Sequence, residues 1–213
     1  LIGRFRMPSR QDLPAILSVG ICMMGAFVVL SHIGMQWVEA GRAALLIYTV
    51  PLWVTPVAVI VLRERLSRAR IIGLFIGLCG LAILFNPIGF DWADQNVILG
   101  NGILVSASML WAISIIQMRM HVYRLDTLQL APWQLLVSAI ITFVAAVALE
   151  SDRFIDWSDV DVMMVLVAGT LLLAVSLSIG TSAVRHLPAI TASVGFLGVP
   201  VVSIIMGAVL LGE

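Results

Sequence analysis

The sequence contains no lysine: all 12 of its basic residues are arginine. A P-loop needs a lysine on its nucleotide phosphates and a Schiff-base enzyme needs one as nucleophile, so both activities are excluded for this chain. Charge of either sign is scarce, with 11% of the 213 residues charged where a soluble domain carries about 25%. Cysteine is scarce too: Cys22 and Cys79 lie inside apolar runs without CxxC spacing and read as small hydrophobes, neither ligands nor a disulfide framework. His32, His121 and His186 are scattered, with no HExxH or other metal spacing. No nucleophile and base converge in the sequence, so no enzymatic activity is expected, and no cofactor, metal or nucleic-acid partner. The chain has no signal-peptide pattern at its start.

What fills the sequence is apolar: 61% of the residues are hydrophobic. A bilayer core of about 30 Å is crossed by about 20 apolar residues at 1.5 Å each, and that ruler marks seven segments, 13–33, 43–62, 71–88, 98–118, 128–149, 161–184 and 189–211. Each must be a helix, because an open chain in hydrocarbon has to satisfy every backbone N–H and C=O within its own segment. The expected fold class is an all-α integral membrane protein, a multi-helix bundle in the lipid bilayer. The connections, such as RERLSRAR, HVYRLDT and RHLPA, are too short for a soluble domain.

The arginines orient the bundle. Arg4, Arg6 and Arg10 precede segment one, Arg63, Arg65, Arg68 and Arg70 follow segment two, Arg119 and Arg124 follow four, and Arg185 follows six. Alternating crossings place all of these on one side. The other side receives Arg42 and Arg153, with Glu39, Asp91, Asp94, Glu150, Asp152, Asp156, Asp159, Asp161 and Glu213. By the positive-inside rule the arginine side is cytoplasmic, and Trp37, Trp92 and Trp157 read as an interfacial belt at the outer boundary.

One stretch occurs twice. Pro51 to Glu64, PLWVTPVAVIVLRE, has a counterpart at Pro200 to Glu213, PVVSIIMGAVLLGE, with the same step from proline to glutamate. Along 40–64 laid on 189–213, the identical pairs are Ala40/Ala189, Ala43/Ala192, Val50/Val199, Pro51/Pro200, Leu62/Leu211 and Glu64/Glu213. The copies are segments two and seven, which cross the membrane in opposite directions. Inverted repeats of this kind build many secondary transporters, with substrate near the midplane and alternating access between the repeats.

These residues resemble a known family. Ala43 to Glu64, with Arg70-Ile71-Ile72-Gly73 and the run to Gly80, resembles the end of the first repeat of EamA-type transporters of the drug/metabolite transporter superfamily; Gly102 to Trp111-Ala112 and Ala189 to Glu213 resemble the second. The resemblance implies two inverted five-helix repeats, here residues 1–90 and 98–213, in a fragment that lacks the first two helices and the last, so the reading frame is expected to extend both ways. It also implies a carrier of a small organic metabolite, such as an amino acid or drug-like compound, in a bacterial inner membrane. A channel or a non-transporting membrane sensor is the alternative.

Polar and aromatic groups in mid-membrane are costly in lipid and mark candidate positions for a substrate path. Tyr48 and Thr55 share a face of segment two; Ser108, Trp111 and Ser114 descend one side of segment four; Gln134 and Ser138 mark segment five, and Ser176 and Thr181 segment six. Tyr48, Thr55, Trp111, Gln134 and Ser176 are the candidate substrate-binding set, although single hydroxyls are usually satisfied by their own helix. Pro51, Pro56 and Pro200 are expected helix kinks that free the carbonyls of Ile47, Leu52 and Phe196. Gly73, Gly77 and Gly80 permit close approach of another helix, read as internal packing in preference to dimerisation. Glu64 and Glu213 at the helix ends are a structural motif, and Glu64 stands four residues before Arg68, the spacing of a helical ion pair. His32 reads as a polar contact without proton coupling, and Asn86-Pro87 as the end of segment three.

Overall fold

The computed structural model describes residues 6–38, 40–85, 94–150, 160–199 and 202. The Asn86-Pro87 turn, Trp92, Trp157, Pro200 and Glu213 lie outside the described residues, as do Arg4, Glu39, Asp91, Asp152, Arg153, Asp156, Asp159 and the side chain of Asp161.

The described residues form helices and no strand. In order these are α1 (Leu13–Leu17), a π-helix (Ser18–Ala26), α2 (Phe27–Gly34), α3 (Ala40–Ile47), α4 (Val50–Ile60), α5 (Arg68–Phe85), α6 (Gln95–Met120), α7 (Thr127–Leu149), α8 (Val160–His186) and α9 (Ala189–Phe196). Among the described residues, four stretches are long and apolar enough to cross a membrane: Leu13–Gly34, Arg42–Ile60, Gln95–Met120 and Thr127–Leu149. The protein is an all-helical integral membrane protein, as its composition requires.

Helix starts follow local chemistry. Asp94 caps α6 by accepting the Asn96 N–H at 2.9 Å, and Asp126 with Gln129 forms a capping box on α7, the Asp126 N–H donating to Gln129 Oε1 at 3.1 Å. The first segment packs between α6 and α7. A Cβ on Gly20 would stand 2.8 Å from Val137 Cβ of α7, so only glycine admits that approach. Gly77 of α5 likewise packs internally, where a Cβ would collide with Leu197, just past the end of α9, while Gly80 faces open space among the described residues.

The main core joins α1, the π-helix, α4, α6 and α9 through Ala15, Val19, Val50, Val54, Ala58, Ala112, Ile115, Ala189 and Ile190. A smaller cluster, Val38, Ala43, Leu46 and Leu104, closes the opposite end. Facing outward are Ile72, Phe75, Ile76 and Ile83 of α5 and Ile140, Phe143 and Val144 of α7, an apolar surface suited to hydrocarbon and unsuited to water.

Two segments are interrupted. The second breaks at Tyr48-Thr49, between α3 and α4, and the last breaks after Phe196, with Leu197 in a turn before Gly198 and Val199 resume helix. The step that carries Pro51 onto Pro200 carries α3, Ala40–Ile47, onto α9, Ala189–Phe196, end for end.

Candidate functional site

The break at Tyr48-Thr49 follows from Pro51, which has no N–H to offer the Ile47 carbonyl. Around it the bonds shorten to three-residue steps: Thr49 N–H donates to the Leu46 carbonyl at 3.2 Å and Leu52 N–H to the Thr49 carbonyl at 2.8 Å. At Pro56, in contrast, α4 runs through without a break.

Side chains from another helix support the interruption. Thr49 Oγ1 donates to the Leu46 carbonyl at 2.6 Å and lies 3.2 Å from Ser108 Oγ of α6. Ser108, fully buried, accepts from Trp53 Nε1 at 2.9 Å and donates to the Val105 carbonyl at 2.7 Å. A single hydroxyl thereby joins α6 to the break itself and to the first turns of α4.

Trp111 lies on the same helix, one turn further on. Its ring has three aromatic neighbours: Phe27 of α2 with centroids 5.2 Å apart, Tyr48 at 6.2 Å and Phe196 at 5.0 Å. Two of these, Tyr48 and Phe196, stand at the two helix interruptions. The Trp111 Nε1–H is buried without a partner among the described residues, and so is Thr55 Oγ1. An unpaired donor among packed rings can orient a small molecule that displaces the rings.

The other candidates fall elsewhere. Gln134 is buried at 1% exposure and its Nε2–H donates to the Ala15 carbonyl at 3.3 Å, while its Oε1 has no partner among the described residues. Ser114 Oγ donates to the Ser18 carbonyl at 2.7 Å. Both side chains thus serve backbone carbonyls where α1 passes into the π-helix, whose i→i+5 register continues to the Phe27 N–H on the Cys22 carbonyl. Ser176 is exposed on α8 and Ser138 half-buried on α7, whereas Thr181 is buried. His32 Nδ1 bonds its own helix at the Val28 carbonyl, 2.8 Å away.

At the arginine-rich end the structure gathers charged groups that spacing alone did not connect. The expected Glu64–Arg68 helical pair does not form, because α4 ends at Ile60 and residues 63–67 are non-helical, with Arg63 at φ 54°. Glu64 instead accepts the Ala189 N–H at 2.7 Å and the Ile190 N–H at 3.3 Å, and Arg119 Nε lies 4.0 Å from its Oε1. Arg119 donates to the Arg185 carbonyl at 3.1 Å, and Arg185 to the carbonyls of Leu125 at 2.7 Å and Tyr123 at 3.4 Å. Burial pushes the Tyr123 hydroxyl up to about 12, the Arg185 charge pulling the other way. Asp12, fully buried, receives the N–H groups of Arg124 and Leu125 from the same loop. Burial alone would raise its carboxyl, but the hydrogen bonds from Ser9, Leu125 and Arg124 hold it below the ordinary range.

Comparison with known proteins places this architecture. The pattern of the EamA-like transporter family matches residues 1–86 and 98–213. An uncharacterized transporter of Bacillus subtilis, YoaV, is 24% identical over 204 residues, 96% of this chain and 70% of its own length. An uncharacterized transporter of Archaeoglobus fulgidus is 27% identical over 77 residues, 36% of this chain and 28% of the relative. A probable terminal-alkyne amino-acid exporter of Streptantibioticus cattleyicolor is 37% identical over 79 residues, 37% of this chain and 27% of the exporter. The chain thus spans only part of each of these relatives. No solved structure gives a significant match. With apolar helices throughout and the family pattern along nearly its whole length, the chain belongs to the EamA-like transporter family.

Proposed function

We propose that this chain forms the larger part of a secondary carrier for a small, largely apolar organic metabolite, working by alternating access between inverted repeats at 1–90 and 98–213. The observation that carries the reading is Trp111, packed against Tyr48 and Phe196 at the two helix interruptions. Broken helices meeting at depth are the usual setting of a transporter site. Aromatic faces with the indole N–H of Trp111 and the hydroxyls of Tyr48 and Thr55 suit a substrate with an apolar body and a few hydrogen-bonding atoms. Apart from the residues at their ends, the helices that meet there carry no charged side chain, and an unpaired ion is costly in such surroundings. A net-neutral molecule fits, including a zwitterionic amino acid; a relative's name, amino-acid exporter, supports that class. The arginine side is cytoplasmic in this reading, and the membrane is a bacterial inner membrane.

The test is flux through the full-length protein in vesicles, normalised to inserted protein. Saturable uptake or efflux supports a carrier; a steady ion conductance supports a channel. Tyr48→Ala and Trp111→Ala should each lower normalised flux at least tenfold. Normal flux per molecule in both variants removes these residues from the site.

A further inference from the structure

We infer that Glu64 is a releasable latch which closes the arginine-rich end of the bundle by holding the N-terminus of α9. The inference rests on the alternating-access reading and extends it to particular atoms.

The latch joins two half-helices. Below the break at Tyr48-Thr49, α4 runs toward the arginine-rich end; α9 starts at that end and rises to its own interruption after Phe196. The two pack through small and branched side chains, Val50, Val54 and Ala58 with Ala189, Ile190 and Ala192, all in one core. Each half-helix therefore has an interruption at one end and the Glu64 contact at the other, the arrangement of two levers pinned together at their free tips. Hinges of this kind absorb rotation at a few residues while packed elements move as units.

Three features make Glu64 the pin. Its two oxygens take the first two backbone N–H groups of α9, at 2.7 and 3.3 Å, where the partial positive charge of a helix start favours a carboxylate. Its side chain is 10% exposed, against 30% for Arg119 at 4.0 Å, so the contact lies just inside the water boundary and can be replaced by solvent. Arg63, immediately before it, adopts φ 54°, a left-handed conformation uncommon in residues other than glycine. With the Glu64 N–H donating to the Ala58 carbonyl at 3.1 Å, that turn aims the carboxylate at α9. Strained residues of this type are over-represented in switch regions. Arg119 ties the latch onward to the Arg185 carbonyl, so α4, α6, α8 and α9 meet at one place.

If the end opens in every transport cycle, the Glu64 contact breaks in every cycle. The test uses the full-length protein with Cys22 and Cys79 replaced. Cysteines at Arg65 and Leu187, both exposed and flanking the latch on either side, are joined by a reducible bis-thiosulfonate linker, leaving Glu64 in place. Linking should lower initial flux at least tenfold and reductant should restore it, which also shows that the protein stayed folded. Full flux in the linked protein overturns the latch. Independently, Ala58→Cys, buried below the interruption, should react with an impermeant thiol reagent from the arginine side at least fivefold faster when Glu64→Gln is added; an equal rate overturns the inference. The labelling comparison needs no substrate. Absence of saturable flux in the parent would therefore sink the carrier reading while leaving the latch to be judged on labelling alone.

Discussion

Replacing Asp12 by asparagine tests whether a buried carboxylate fastens the first segment to the loop between α6 and α7. Four donors converge on it: Ser9 N–H at 2.9 Å, Ser9 Oγ–H at 2.6 Å, Arg124 N–H at 2.8 Å and Leu125 N–H at 3.0 Å. Asparagine is nearly isosteric, so shape is kept and charge is lost. Its oxygen can retain the two loop donors and its amide can turn to Ser9 Oγ, which leaves the Ser9 N–H facing an N–H group. A hydrogen bond to a charged group contributes about 1.5–3 kcal/mol, and about 0.5–1.5 when neutral, while a stranded buried donor costs about 1–3. The expected loss for Asp12→Asn is about 2–4 kcal/mol, and Asp12→Ala, which frees all four donors, should lose more. At roughly 2–4 °C per kcal/mol for a chain of this size, the asparagine variant should melt roughly 4–16 °C below the parent in detergent. The pH dependence has a definite sign. The folded carboxyl titrates below its ordinary value, so its stabilisation is present at neutral pH and is lost as pH falls through that lowered value, below about pH 4. The gap between parent and Asp12→Asn should therefore close on acidification. A melting difference under about 1 °C at pH 7, or a gap that widens in acid, would refute the assignment.

Gly77→Leu should destabilise by about 1–3 kcal/mol through overpacking against Leu197, whereas Gly80→Ala, with open space among the described residues, should be near neutral in the same melt. Gln134→Leu removes one hydrogen bond to Ala15 and one unpaired oxygen, so its melting point should move little; a large loss of normalised flux at that preserved stability would place Gln134 on the substrate path. A cysteine at Asp94, in a background lacking Cys22 and Cys79, should react with an impermeant thiol reagent from outside intact cells, and one at Ser67 should not. The reverse pattern would invert the orientation.

Segment positions were legible because hydrocarbon imposes a length and a composition that few other structures share: α6 and α7 extend only slightly beyond the apolar runs that announced them. The interruption at Tyr48-Thr49 was legible in kind, since a proline deletes a known bond, but the Thr49 and Ser108 hydroxyls that brace it two to three residues before Pro51 were not. The π-helix was not legible. Ser18–Ala26 is as apolar as its flanks, and the carbonyls where α1 passes into it are served by Gln134 and Ser114, more than 90 residues away. Sequence spacing misled at Glu64 because the four-residue pairing with Arg68 presumes a helix, and Arg63 turns the chain out of one. Arg119 and Arg185 were read as charges that orient the chain; their hydrogen bonds to carbonyls depend on which loops the fold brings beneath them.

That double use of Arg185 has a consequence for biogenesis. A guanidinium presents a planar fork of N–H groups, and here the fork grips the Leu125 and Tyr123 carbonyls. The grip can close only if the end of α8 and the loop after α6 emerge on the same side of the membrane. A copy inserted with α8 reversed would leave that loop without its clamp, and its weakened packing would expose it to the proteases that remove unfolded chains. The arginine that the positive-inside pattern reads as an orienting charge is thus also a fastener of the finished fold.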